Sequence, residues 1–251
     1  MRAVGAVVTR LGLAAALAVG AEVAFAYLWP APRQTEYDAS FRIGNGSGEP
    51  LRLAALGDST LTGPGVEDPD DIWIRSVARQ LADKTGRPVE LLSLGVGGAT
   101  SADVARNQLP AALDFGPHLV VLSVGANDVI RGMPMRRLAS NLDLIVSSLR
   151  QAGSQVIMSG VGNLGTIPRL APPLRQMAAR LGKRADRVHQ RVAERHGAIK
   201  AEQWRWASGQ FQTRSDVWSA DRFHPNAAGH QIWATTCWEV VEPLCVDLVP
   251  V

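Results

Sequence analysis

Five short apolar runs recur along this chain, at residues 51–56, 89–94, 119–124, 155–159 and 198–201, with longer stretches of helical spacing between them. Leu119-Val-Val-Leu-Ser-Val124 carries one hydroxyl among five aliphatic residues, the pattern of a strand buried on both faces. After it, Leu138, Leu142, Ile145 and Leu149 mark one face of a helix. Strands joined through helices return by crossover connections, so the alternation predicts one parallel sheet covered on both faces. Functional groups in such sheets gather at the carboxyl ends of the strands. Further helices are expected at about 72–84, capped by Asp70 or Asp71, from about Ser101, at 174–196 and at 227–241.

The apolar content suffices for this architecture. With 251 residues, 46% of them hydrophobic and 20% charged, the chain accommodates one large α/β domain and is not globally disordered. A net charge of +3 and the lack of a Lys/Arg block argue against a nucleic-acid partner.

The two ends carry their own signals. Arg2 and Arg10 precede an apolar run at 11–29 broken only by Glu22. A secretory signal would use 11–20 as its apolar region and Ala24-Phe-Ala26 as its cleavage site. A signal anchor would keep the run as a marginal membrane helix, with the arginines inside. Both readings imply export, to the medium or to the outer face of the cell membrane. Residues 1–33 are therefore set apart, 34–50 read as a Gly/Asn/Ser-rich linker, and 51–251 as the domain. Cys237 and Cys245 are close enough in sequence to close a small loop, but spacing does not decide whether they pair. They make no metal site, since no Cys/His cluster accompanies them.

The chemistry-bearing residues fall at the strand ends. Gly57-Asp-Ser59 follows the first strand, Gly97-Gly98 the second and Gly125-Ala-Asn127 the third. Asp221-Arg-Phe-His224 lies just before the last helix. Together they provide a nucleophile, a base, an orienting acid and oxyanion donors, the set that acyl transfer needs. Each segment alone is equally an ordinary turn. Gly95-Val-Gly-Gly98 lacks the third glycine of a dinucleotide loop, because position 100 is Thr.

In this order, Gly57-Asp58-Ser59, Gly98, Gly125-x-Asn127-Asp128 and Asp221-x-x-His224-Pro225 resemble the four sequence blocks of the SGNH/GDSL hydrolase superfamily over roughly residues 51–242. In the second block either Gly97 or Gly98 fits, with Gly98 the better alignment. The resemblance implies a flavodoxin-like three-layer α/β/α fold with about five parallel strands in the order 2-1-3-4-5. It implies Ser59 as nucleophile, His224 as base and Asp221 as orienting acid; Asp216, five residues before Asp221 on the same loop, is the next candidate for the acid. The backbone N–H groups of Ser59 and Gly98 and the Asn127 amide would form the oxyanion hole, with Asp58 in a structural role. No metal or organic cofactor is implied. The expected activity is hydrolysis of small-molecule or lipid carboxylic esters. The same acyl-enzyme would serve an acyltransferase acting on a sugar or lipid alcohol, and a non-catalytic lipid- or glycan-binding domain is the third reading.

Residues 174–196 combine an apolar stripe (Leu174, Met177, Leu181, Val188, Val192) with seven cations between Arg175 and Arg195. Such a helix either packs its stripe on the sheet and solvates its charges, or lies on an anionic membrane. Trp218, three residues before Asp221, is placed to line an acyl pocket. No protein partner is inferable.

Overall fold

The computed structural model describes residues 20–22, 24–25, 28, 34–44, 46 and 48–248. Arg2, Arg10, most of the apolar run at 11–29 and Ala26 of the expected cleavage site lie outside the described residues. Among the described residues, no helix is long and apolar enough to cross a membrane.

Among the described residues six strands form one sheet: β1 (Phe41–Ile43), β2 (Leu51–Gly57), β3 (Val89–Ser93), β4 (Leu119–Ser123), β5 (Gln155–Met158) and β6 (Ile199–Lys200). Their order is β1-β3-β2-β4-β5-β6, and every pairing is parallel except the antiparallel edge pair β1–β3. Without β1 this is the expected 2-1-3-4-5 order. From residue 34 to 248 the α-helices are α1 (Trp73–Thr85), α2 (Ser101–Asp103), α3 (Leu109–Phe115), α4 (Ala126–Ile130), α5 (Met135–Gln151), α6 (Leu174–His196), α7 (Ser208–Thr213), α8 (Ala227–Val241) and α9 (Cys245–Leu248).

Alternate residues of β2 supply the two faces. Leu53 and Ala55 join Val89 and Leu91 in a cluster with Trp73, Val77 and Leu81 of α1 and Cys237 of α8. Ala54 and Leu56 join Val120 and Leu122 on the other side, under Leu138, Leu142 and Ile145 of α5 and Ala185, Val188 and Val192 of α6. The C-terminal half of the α6 stripe, Val188 and Val192, is thus core with Leu181 packed at its edge, whereas Met177 is exposed; the cations face outward.

Several expectations need correction. The segment 34–50 is more than a linker, because it contributes β1, whose Phe41 pairs with Leu91, and because Ala39 is buried. Neither Asp70 nor Asp71 caps α1; the cap position is Ile72, and Asp68 caps a preceding 3-10 turn instead. The helix from Ser101 is real, with a Thr100/Asp103 capping box, but a π-helical segment, Val104–Gln108, interrupts it. Cys237 and Cys245 are both buried and unbonded. Burial pushes the Cys237 thiol up to about 12, which leaves it inert.

Candidate active site

At the end of β2, the Gln108 side chain grips both backbone groups of Gly57, accepting from its N–H at 2.8 Å and donating to its carbonyl at 2.8 Å. Asp58 N–H donates to Ser123 O at 3.2 Å, tying the end of β2 to that of β4. The chain then turns through a 3-10 segment, Ser59–Leu61, capped by the Asp58 carboxylate, which accepts from Thr60 N–H at 3.0 Å. Ser59 stands at the first position of this turn, where no backbone acceptor is available. Its N–H makes no hydrogen bond among the described residues.

The next two strand ends meet this turn. Gly98 adopts φ +76, and the Arg131 guanidinium donates to its carbonyl at 2.8 Å. Gly98 N–H is unspent among the described residues, whereas Gly97 N–H donates to Glu36 Oε2 at 3.3 Å. After β4, Gly125 (φ +118) starts α4; a Cβ there would come within 3.0 Å of both Val161 and His189. Asn127 on α4 donates its amide to Ala99 O at 3.1 Å and to Asp58 Oδ2 at 3.4 Å. Asp128, fully buried, accepts from Ser101 N–H at 2.9 Å and from the Ser101 hydroxyl, which binds the second and third turns together.

The fourth segment forms a tight loop before α8. Asp221 Oδ2 lies 2.6 Å from His224 Nδ1. Its other oxygen accepts from the Ser219 hydroxyl at 2.7 Å and from the N–H groups of Phe223 and His224 at 2.8 Å. Burial pushes the Asp221 carboxyl up, but the bonds from His224, Phe223 and Ser219 outweigh it and hold the group well below the usual carboxylate range. Asp216, the alternative acid, is instead paired with Arg214 at 2.6 Å on the surface. Asn226 caps α8 through Gly229 N–H at 3.3 Å.

Ser59, Asn127 and His224 line one cavity, whose remaining wall is largely apolar: Val161, Ile167, Phe211, Trp218, Phe223 and Trp233 among others. Neither Ser59 Oγ nor His224 Nε2 makes a hydrogen bond among the described residues, so the two are not joined. The other histidines stand in different settings. His230 and His189 are buried, and burial pushes both down to about 3. His118 Nδ1 accepts from Arg52 N–H at 3.0 Å, beside the amino end of β4, and His196 sits 3.0 Å from Asp143. Among the described residues, no cluster of three or more His, Cys, Asp or Glu side chains forms a metal site.

The residues that sequence reasoning missed are the supporting ones: Gln108, Arg131, Ser101 and Arg169. Three of them act on backbone atoms 33 to 52 residues away in the chain, a relation with no local signature.

A family model described as GDSL-like lipase/acylhydrolase matches residues 55–232. A GDSL-like esterase of Mycobacterium tuberculosis is 30% identical over 187 residues, which is 73% of this chain but 59% of that protein's length. Esterase TesA of Pseudomonas aeruginosa is 28% identical over 199 residues, covering 76% of this chain and 88% of the esterase. A crystal structure of TesA superposes with a TM-score of 0.65 at 26% identity, over 77% of this chain and 99% of the other.

Proposed function

On the premise that the chain belongs to the GDSL-like lipase/acylhydrolase family, we propose that it hydrolyses carboxylic esters through an acyl-enzyme on Ser59. The observation that carries this reading is the His224–Asp221 pair at 2.6 Å, set in the cavity that Ser59 lines. His224 takes the Ser59 proton at Nε2 as Oγ attacks the ester carbon. Asp221 fixes the ring through Nδ1 and stabilises the imidazolium. The oxyanion is received by the two unspent N–H groups, of Ser59 and Gly98, and by the Asn127 amide, which exchanges its long 3.4 Å bond to Asp58 for the charged oxygen. His224 then returns the proton to the leaving alcohol, and water repeats the sequence on the acyl-enzyme.

The engagement of Gly97 N–H with Glu36 supports Gly98 as the donor of the second block. The apolar wall supports an acyl group without charge, and the aromatic cluster of Phe211, Trp218 and Trp233 lends it a rigid surface. The apolar run at 11–29, with Arg2 and Arg10 before it, supports export of the domain. The test is turnover of p-nitrophenyl esters of graded acyl length by the purified protein and by Ser59→Ala. Turnover of uncharged acyl esters, lowered at least about 10³-fold in folded Ser59→Ala, is expected because nucleophile and base act as a unit. Near-native turnover in Ser59→Ala would end the proposal.

A further inference from the structure

We propose that Arg169, in the segment between β5 and α6, is a positioning residue for the catalytic loop: it clamps the Asp221–His224 turn and offsets the charge of Asp221. The proposal rests on the assignment of His224 and Asp221 above.

Three hydrogen bonds run from Arg169 to this turn. Its Nε and Nη2 both donate to Asp221 O, at 2.9 and 2.5 Å, and its backbone N–H donates to Arg222 O at 3.0 Å. The guanidinium also lies over the Phe223 ring, 5.3 Å from its centre, and 3.9 Å from Asp221 Oδ2. Its side chain is only 15% exposed, so these contacts are little screened by water. The turn needs an external hold, because Arg222 adopts φ +57, a left-handed conformation that a non-glycine residue seldom takes unaided. A planar fork gripping one carbonyl fixes both position and direction, which an ammonium group cannot do.

The charge has a separate consequence. The titratable groups facing the His224 imidazole are Asp221 on its own turn, Asp58 at the end of β2 and His230 on α8. Asp221 favours the imidazolium, and Arg169, one carboxylate away, opposes it. Losing the Arg169 charge therefore leaves the Asp221 carboxylate uncompensated beside the ring, and the acidic limb of kcat/KM moves up.

The experiment compares pH profiles of kcat/KM for wild type, Arg169→Gln and Arg169→Lys, with thermal unfolding followed on the same samples. Arg169→Gln is expected to raise the midpoint of the acidic limb by about half to one pH unit and to lower the plateau about tenfold. Arg169→Lys keeps the charge and loses the fork, so its midpoint stays at the wild-type value while its plateau falls several-fold. A residue that is merely structural would lower Tm and leave the Arg169→Gln midpoint unmoved, and that result overturns the proposal. If Arg169→Gln does not fold, Arg169→Lys decides, and a full plateau there overturns it. Asp221→Asn is the control for the underlying assignment. It should lower both midpoint and plateau, and if it changes neither, the assignment of Asp221 has failed and not the role of Arg169.

Discussion

At the scale of single residues, Asp58 shows the site's requirements working against stability. The carboxyl group is 2% exposed, and burial pushes it up to about 6 although Thr60 and the nearby His224 pull it down. A folded-state value above the unfolded one means that the native protein holds this proton longer than the unfolded chain does. Stability from this group therefore falls as pH rises from about 4 to about 6 and stays low above that. Asp58→Asn should stabilise the protein at pH 7–8 by on the order of 2 kcal/mol, with the gain gone below about pH 4. It should also lower kcat about tenfold, because a neutral amide holds the Asn127 side chain less firmly in position before the oxyanion forms. Denaturant unfolding at pH 4 and pH 8, alongside turnover, checks both. The motif residues were legible in the sequence because they stand at strand ends, where a turn needs Gly or a small polar residue whether or not it does chemistry. The arginines behind them were not, since Arg131 and Arg169 grip carbonyls far away in the chain.

At the scale of elements, the site depends on how closely β2 and β4 approach. Gly57 pairs with Ser123, and a Cβ on Gly57 would lie 1.9 Å from Ser123 O. Gly57→Ala therefore has to part the two strand ends that carry Ser59 and Asn127. We expect it to cost several kcal/mol and to lose most turnover even in the folded fraction. Gly153→Ala is the control: it also bears a positive φ of +90 but has open space around it, so the cost is about 1 kcal/mol with kcat unchanged. Chevron or equilibrium unfolding of both variants, with turnover per folded molecule, separates the clash from backbone strain. Helices α6 and α8 match their sequence patterns because a regular stripe or a cap defines each. Strand β1 was hidden because its reason lies elsewhere, in pairing with β3. The π-helical segment Gln203–Ala207 and α7 were hidden because neither shows helical periodicity.

At the scale of the whole molecule, two buried histidines set the response to acid. His189 and His230 are pushed down to about 3 by burial, against about 6.5 in an unfolded chain. The unfolded state takes up two protons that the native state refuses, so stability falls as pH drops from about 6.5 toward 3. Two such groups give a slope of about 2.7 kcal/mol per pH unit, and Asp58, working in the opposite direction between about 4 and 6, cancels roughly half. Denaturant unfolding across pH 4–6 should show that reduced slope in the wild type, about doubled in Asp58→Asn and flattened in His189→Leu. Equal slopes in all three would remove the histidines from the account. The central claim, that Ser59 is the nucleophile of an acyl-enzyme, is tested most directly by labelling with a fluorophosphonate and mapping the adduct by peptide mass. The account predicts one adduct per chain, on Ser59, accumulating in step with the loss of ester turnover and absent from folded Ser59→Ala. An adduct on another residue, or turnover that survives full labelling of Ser59, would contradict it.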